Sequence, residues 1–297
     1  MEFLRTPDQR FKNLKDYPYE PNYITIDGLR MHYVQEGPIS APTILLLHGE
    51  PTWSYLYRDM IRLLANEGFN VIAPDLIGFG KSDKPILASA YSYAGHLDWL
   101  AKFINILDLK ELTMFCQDWG SLIGLRLAIE EPHRFARIIL SNGGLPTGHE
   151  KIPKAFNYWR LFAQYSPWFP IGKIVQSACI KTLDKETIHA YNAPFPSRKY
   201  KIGARIFPSL VPISPNDPES QNNRNAWHGF KSWEKPFLTL FSNRDPITRG
   251  GEKYFQRSIP GCKNQNHQII KNAGHFVQEE KSNELSEAII DFIRHTD

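Results

Sequence analysis

Short continuous runs of hydrophobic residues alternate with helical patterns along the first half of the chain. Such runs, bounded by turn residues, are typical of strands buried on both faces of a parallel sheet. They occur in TILLLHG, NVIAPDLIG, ELTMFCQ and ARIILSNGG, and helical patterns at 54–67, at 93–107 and after Asp118 separate them. The stretch YITIDGLRMHYVQEG predicts a β-hairpin that turns at Asp27-Gly28. This order of elements predicts an α/β fold with a doubly wound, mostly parallel sheet.

The pattern changes after Gly144. Residues 146–224 are rich in proline and aromatic residues and show short helical patterns but no buried strand. Strand patterns return in PFLTLFSNRD and NHQIIKNAGH, and a last helix carries an apolar stripe formed by Leu285, Ala288, Ile289, Phe292 and Ile293. We therefore predict a core domain formed by residues 1–145 and 225–297, with an inserted helical cap domain formed by residues 146–224.

Composition narrows the class of protein. Of the 297 residues, 42% are hydrophobic and 22% are charged, as in ordinary globular enzymes. The formal net charge is only +4 and no basic run occurs, so we expect no nucleic-acid or membrane partner. No apolar stretch reaches the roughly 18 residues of a membrane span, and the N-terminus is too polar for a signal peptide. The three cysteines lack metal-type spacing, so we expect reduced thiols and a cytoplasmic location.

Polar residues that follow the predicted strands are the candidates for chemistry, because ligands of open α/β sheets bind outside the carboxyl ends of the strands. Asp118 lies in MFCQDWGSLIGL, where a strand turns sharply into a helix, and the chain contains no G-x-S-x-G motif. Asp245 follows the next-to-last strand, and His275 follows the last. Each alone could be a helix cap or a turn residue. Their joint order is that of nucleophile, acid and histidine in α/β-hydrolases, so it predicts a catalytic triad.

A carboxylate at this turn predicts a different reaction from that of a serine. It is already ionised at neutral pH, so it can attack a saturated carbon without a base and form an alkyl ester. Neutral His275 would then take a proton from the water that attacks the ester of Asp118, while Asp245 fixes the imidazole tautomer. The backbone N–H groups of Glu50 and Trp119 are expected to form the oxyanion hole.

Two substrate classes fit an aspartate nucleophile on this fold. An epoxide leaves an alkoxide that needs an acidic O–H donor, and Tyr158, Tyr165 and Tyr191 of the predicted cap keep that alternative open. A halide ion instead needs directional donors in an apolar pocket, and the indole N–H of Trp119 is such a donor beside the nucleophile. The sequence favours a halide. A third hypothesis is a catalytically silent ligand-binding protein, against which the complete triad argues.

Longer segments of the chain resemble the haloalkane dehalogenases. They are HGEPTWSYLYRDMI at 48–61, VIAPDLIGFGKSDKP at 71–85, QDWGSLIGLRLA at 117–128, NAPFP at 192–196 and AGHFVQEE at 273–280, and RTPDQRF at 5–11 is also similar. The resemblance implies an α/β-hydrolase fold with a helical cap. It also implies a bacterial detoxification enzyme that converts small haloalkanes and water to a primary alcohol, halide and a proton. No cofactor and no metal are implied, and we expect a monomer.

The resemblance also indicates a branch of that family. In one branch an asparagine at the position of Glu50 binds the halide, and the triad acid is a glutamate after the strand that precedes the insertion. Here that strand ends in Asn142, so the chain resembles the other branch, in which Asp245 is the acid. In that branch the cap supplies a second halide-binding tryptophan besides the one that follows the nucleophile. Trp159 in FNYWRLF matches it best, and Trp168 is the alternative.

Pocket residues are also implied by the resemblance. They are Leu122, Phe156, Phe207, Pro208, Val211 and Ile247. Ordinary core packing is the alternative interpretation of each. Because the inserted segment varies most within the family, the shape of the pocket is the feature that the resemblance predicts least.

Overall fold

A computed structural model describes residues 1–296 of the chain. Its strands are β1 (Phe3–Leu4), β2 (Asn22–Ile26), β3 (Leu29–Glu36), β4 (Thr43–Leu47), β5 (Asn70–Pro74), β6 (Lys84–Pro85), β7 (Leu112–Asp118), β8 (Phe135–Gly143), β9 (Phe237–Ser242) and β10 (Gln268–Ile270). Its α-helices are α1 (Arg58–Asn66), α2 (Tyr93–Ile106), α3 (Trp119–Glu130), α4 (Lys154–Tyr165), α5 (Ile171–Ser177), α6 (Lys185–Asn192), α7 (Ile202–Leu210), α8 (Ser220–Phe230), α9 (Glu252–Ser258) and α10 (Val277–Thr296).

Eight strands form the central sheet, in the order β10-β9-β8-β7-β4-β5-β3-β2. Pairing is parallel from β5 through β4, β7, β8 and β9 to β10. The strands β2 and β3 form the predicted antiparallel hairpin, and β3 also pairs antiparallel with β5. The doubly wound, mostly parallel sheet predicted from the sequence is therefore confirmed.

The strand order reverses at β4, which lies between β5 on one side and β7 on the other. A crevice opens at such a point, outside the carboxyl ends of the two neighbouring strands. The register pairs Leu47, the last residue of β4, with Cys116 of β7. The loop after β4 and the turn after β7 therefore lie side by side.

The hydrophobic runs of the sequence lie in the interior of the sheet. All residues of β5 and β9 are buried, as are all but the first residue of β4. The helices form two groups, because α1 packs against α10 whereas α3 packs against α2 and α8. Helices on both sides bury both faces of the strands, which explains why these strands are continuously apolar instead of alternating.

The inserted segment between β8 and α8 is helical, as predicted. Within it α5 packs against α6, and α4 packs against α7. The helix Ser220–Phe230 runs through the predicted domain boundary at 224/225 and packs against α3 of the core. The division into a core of residues 1–145 and 225–297 and a cap of residues 146–224 stays a prediction.

Three local features were not predicted. The strand β1 pairs antiparallel with β6, next to a two-bond ion pair in which Arg5 donates to Asp83. The helix predicted over 54–67 begins with a 3₁₀ turn before α1. The helix α10 is kinked at Lys281, where φ is −140° and ψ is 38°. Within residues 1–296, no helix is both long enough and apolar enough to cross a membrane.

Candidate active site

Asp118 ends β7 and directly precedes α3, so the chain turns sharply at this residue. Its φ of 50° and ψ of −125° lie in a region that residues with a side chain rarely adopt. Small neighbours allow the turn. A Cβ atom on Gly120 would lie 2.2 Å from the carbonyl oxygen of Leu47, and one on Gly49 would lie 2.3 Å from Oδ1 of Asp118. The turn presents the carboxylate at the edge of the sheet, where the Asp118 side chain is 25% exposed.

The two oxygens of this carboxylate have different partners. Oδ1 accepts a hydrogen bond of 2.7 Å from the backbone N–H of Glu50, in the loop after β4. Oδ2 lies 3.4 Å from Nε2 of His275. The Glu50 N–H is thus where an oxyanion donor was predicted, whereas the same role for the Trp119 N–H stays a prediction. One oxygen is held and the other is directed toward the imidazole.

Asp245 lies fully buried in the loop after β9. Its Oδ1 accepts from the N–H of Ile247 at 2.9 Å, and its Oδ2 accepts from the hydroxyl of Thr248. Oδ2 also lies 2.9 Å from Nδ1 of His275. Burial opposes ionisation, but the charge and hydrogen bond of His275 outweigh it and hold the pKa of Asp245 below its usual range. The carboxylate therefore keeps a proton on Nδ1 of His275.

His275 lies between two carboxylates. Burial alone would lower the pKa of its imidazole, but the charges of Asp245 and Asp118 and the hydrogen bonds to them outweigh burial and raise it to about 10. The imidazole is therefore protonated on both nitrogens at neutral pH.

Two residues without a predicted catalytic role also contact His275. The Nδ2 group of Asn142 donates to the carbonyl oxygen of His275 at 2.9 Å and to that of Gly274 at 3.0 Å. The side-chain amide of Gln117 lies 3.1 Å from Nε2 of His275 and donates to its carbonyl oxygen at 3.3 Å. Gln117 directly precedes the nucleophile, which is the one signal in the sequence that points to it. The side chain of Asn142 thus contacts the backbone of His275.

The side chain of Glu50 is buried, and its Oε1 atom has no hydrogen-bond partner among the described residues. Burial, followed by the charge of Asp118, raises the pKa of Glu50 well above its usual value, although His275 and the indole of Trp159 act in the opposite direction. Burial and the charge of Asp118 therefore favour the neutral form of this carboxylic acid. A neutral side chain can lie beside an anionic nucleophile without repelling it.

The candidate tryptophans lie at different depths. Trp119 is buried and packs against Tyr93 and Phe207, with ring centroids at 5.3 and 4.5 Å. Trp159 on α4 is half-buried and lines a pocket together with Glu50. Trp168 lines the same pocket but is 62% exposed. Trp159 is therefore the more deeply buried of the two candidate tryptophans of the cap, and its role as a halide ligand stays a prediction.

This pocket has a volume of about 680 Å³ and lies between the inserted helices and the core loops. Glu50, Trp159, His275 and Ile247 are the predicted site residues that line it. The rest of its wall comes mainly from α4, from α5 and from the connection that follows α5. Its dimensions suit a small organic ligand.

Sequence comparisons agree with this geometry. A profile of the alpha/beta hydrolase fold matches residues 42–282. A haloalkane dehalogenase of Psychrobacter cryohalolentis is 50% identical over 99% of this chain and 98% of its own length. One of Mycolicibacterium paratuberculosis is 50% identical over 98% of both chains. The chain belongs to the haloalkane dehalogenase family.

The structural comparison agrees with this membership. The solved structure of the haloalkane dehalogenase DpaA from Paraglaciecola agarilytica, described as tetrameric, superposes with a TM-score of 0.91. It is 34% identical to this chain, and the match covers 98% of both chains. The family predicted from the sequence motifs is therefore confirmed.

As a haloalkane dehalogenase, this chain offers little support for the epoxide alternative. The hydroxyl of Tyr191 donates to Glu279 at 2.5 Å and is buried away from solvent. Tyr165 is 70% exposed, and Tyr158 lies at the pocket rim with 71% exposure. The Tyr191 hydroxyl is thus already engaged, and the other two side chains face solvent.

The role of the apolar residues that the resemblance implies as pocket lining stays a prediction. Within residues 1–296, Ile247 is the member of that set on the wall of the 680 Å³ pocket. Leu122, Phe207 and Pro208 are buried, and Phe156 and Val211 are half-buried, so their role as pocket residues stays a prediction. Phe207 is fully buried against Trp119. Its ring centroid lies 4.5 Å from that of the Trp119 indole.

Proposed function

We propose that this protein hydrolyses carbon–halogen bonds of small haloalkanes, giving a primary alcohol, a halide ion and a proton through an alkyl ester of Asp118. The observation that carries the proposal is the asymmetry of the Asp118 carboxylate. Its Oδ1 is held by the Glu50 N–H at 2.7 Å, and its Oδ2 lies on the side of His275. Such a carboxylate is oriented for attack and needs no deprotonation.

In the first step Oδ2 of Asp118 attacks the carbon that bears the halogen. A carbon–oxygen bond forms as the carbon–halogen bond breaks, and the halide leaves with the bonding electron pair. The indole N–H groups of Trp119 and Trp159 are the donors that we assign to the departing anion, because an indole N–H donates and cannot accept. Binding that strengthens as charge develops on the halogen lowers the barrier.

In the second step water attacks the ester carbonyl carbon. Alkylation removes the negative charge of Asp118, which is one of the two charges that raise the pKa of His275. The imidazole can then lose its Nε2 proton to solvent and accept a proton from the attacking water, while Asp245 stabilises the imidazolium. The Glu50 N–H stabilises the oxyanion. On collapse the bond from the carbonyl carbon to the alkyl-bearing oxygen breaks, and the hydroxyl proton of the tetrahedral intermediate passes to that oxygen, which releases the alcohol and restores the carboxylate.

A single turnover in ¹⁸O-labelled water, with enzyme in excess over 1,2-dibromoethane, tests this route. Water that attacks the ester carbonyl leaves ¹⁸O in Asp118, and the first alcohol formed carries ¹⁶O from the carboxylate. Peptide mass spectrometry locates the label, and Asp118→Ala is the control that should release no bromide. Label found in the alcohol, with Asp118 unlabelled, would mean direct attack by water.

The assembly and location predicted from the sequence also belong to this proposal. A monomer stays our prediction, and sedimentation velocity tests it against the tetramer described for the Paraglaciecola agarilytica relative. A cytoplasmic location stays a prediction as well. Cell fractionation tests it.

A further inference from the structure

The loop that carries His275 is in direct contact with the cap. Residues 178–181, the first part of the connection between α5 and α6, lie against it. The N–H of His275 donates to the carbonyl oxygen of Ala178 at 2.8 Å. A Cβ atom on Gly274 would lie 2.3 Å from that same oxygen. Glycine at 274 therefore lets the two backbones approach closely enough for this hydrogen bond.

Glu280 joins the same two segments a second time. Its Oε2 accepts from the N–H of Gly274 at 2.6 Å, and its Oε1 accepts from the N–H groups of Ile180 and Lys181 at 2.7 and 2.6 Å. Both carboxylate oxygens of Glu280 thus accept from backbone N–H groups. Oε2 accepts from the loop that carries His275, and Oε1 accepts from the cap. Hydrogen bonds to a carboxylate are stronger than those between neutral groups.

Side chains of the core hold the carbonyl oxygens of this loop. The carbonyl oxygens of Gly274 and His275 accept from Asn142, and the hydroxyl of Ser242 donates to that of Gly274 at 2.7 Å. The N–H groups, in contrast, are held by the cap and by Glu280. Every backbone polar group of residues 274–275 is therefore paired, and the donors depend on the position of residues 178–181.

We infer that Glu280 is a positioning residue that couples the cap connection 178–181 to the general base His275. This inference rests on the proposed function. The cap connection is also part of the pocket wall, where Ala178, Cys179 and Ile180 lie beside His275. Residues 178–181 therefore both line the pocket and help to orient His275.

The two chemical steps depend on this coupling to different extents. Alkylation uses Asp118, which is fixed by its own turn and by the Glu50 N–H on the other side of the site. Ester hydrolysis needs the His275 lone pair aligned with the attacking water, and a misplacement of about 1 Å can cost about 100-fold in rate. Loss of Glu280 should therefore slow ester hydrolysis and leave alkylation intact.

The variant that tests this is Glu280→Gln, which keeps the shape but places an NH₂ group opposite one of the two sets of N–H donors. The matched control is Glu284→Gln, four residues later and beyond the kink at Lys281, where Glu284 is 48% exposed and pairs with Lys281. Rapid-quench mass spectrometry with 1,2-dibromoethane measures both steps. For Glu280→Gln we expect alkylation within about twofold of wild type and ester hydrolysis about 10- to 100-fold slower, so the alkyl-enzyme accumulates. For Glu284→Gln we expect neither change.

Hydrogen exchange of the amides of residues 180–181 and 274 provides a readout that does not depend on activity. Faster exchange at both segments in Glu280→Gln, with unchanged exchange in Glu284→Gln, supports the coupling even if the wild type releases no halide. A wild type that releases no halide would overturn the proposed function but not the coupling. Equal slowing of both chemical steps, unchanged ester hydrolysis, or unchanged exchange in Glu280→Gln would overturn the inference.

Discussion

Oδ2 of Asp118 lies 3.4 Å from Nε2 of His275. In a serine hydrolase the corresponding contact removes a proton from the nucleophile, but a carboxylate has none to give at neutral pH. The imidazole therefore has no task in the first step beyond its electrostatic effect. Its lone pair is needed only after Asp118 has become an ester, because only then does water attack.

The change His275→Phe should therefore separate the two steps. We expect bromide release to stop after one equivalent per enzyme, because alkylation proceeds while ester hydrolysis loses a general base that contributes about 10²- to 10⁴-fold. Intact-protein mass spectrometry should show a gain of one alkyl group on Asp118. His295→Phe, a histidine in the last turn of α10, is the control and should keep full turnover. Repeated turnover by the His275 variant would place water activation on another residue.

The protonation of His275 should follow the charge on Asp118. In the resting enzyme the pKa of His275 is raised to about 10, and Asp118 contributes to this through its charge and its hydrogen bond. Asp118→Asn removes that charge, as alkylation does, so the pKa should fall. NMR titration of the imidazole Cε1–H resonance measures it. An unchanged pKa in the variant would mean that Asp245 alone sets it.

The raised pKa also predicts the sign of a stability change with pH. A group with a pKa of 6.5 unfolded and about 10 folded binds protons more tightly in the native state. Its stabilising contribution is complete below pH 6.5 and is lost as the pH rises toward 10. The free energy of unfolding of wild type relative to His275→Phe should therefore decrease over this interval. Urea unfolding of both proteins between pH 6 and pH 10 tests this, and a difference that grows with pH would contradict it.

The triad positions could be predicted because each depends on the end of a strand. Parallel strands bring their carboxyl ends to one edge, so Asp118 and the residues after β9 and β10 had to converge. The sharp turn at Asp118 is encoded locally by Gly120 and by the change from an apolar run to small residues. For this part of the site, sequence order and strand topology contain nearly all of the information.

Contacts between the cap and the core could not be predicted in this way. The roles of Glu280, Gly274 and Asn142 depend on hydrogen bonds between segments that are far apart in sequence, and no periodicity marks such bonds. The pocket wall depends on how the helices α4 and α5 lie on the core. Phe207 illustrates the difficulty, because nothing in the sequence indicates that this apolar residue of a cap helix packs against Trp119.

The side chain of Glu50 should control halide binding through its protonation. Its pKa is raised well above the usual value by burial and by the charge of Asp118. As the pH rises and Glu50 ionises, it should repel an anion near Trp159, so the bromide dissociation constant should increase. Deprotonation of His275 also raises the bromide dissociation constant as the pH rises. The contribution of Glu50 is therefore isolated by comparing Glu50→Gln with wild type, with bromide binding measured by fluorescence quenching at each pH. The variant should lose the part of the pH dependence that Glu50 causes, and identical profiles would refute this role.

The choice between Trp159 and Trp168 is open to a direct test. Trp159 is half-buried beside Glu50, whereas Trp168 is 62% exposed at the pocket rim, where water competes for an anion. Phenylalanine keeps an aromatic ring and removes only the indole N–H. A hydrogen bond to a charged group contributes about 1.5–3 kcal/mol, so Trp159→Phe should raise the bromide inhibition constant by about 10- to 100-fold.

The matched variant Trp168→Phe should change that constant by less than about twofold, because a solvent-exposed donor gains little from binding an anion that it must share with water. Product-inhibition kinetics with added bromide measures both variants under the same conditions, and it remains valid when a fluorescent indole has been removed. The reverse order of effects would assign the halide to the rim of the pocket.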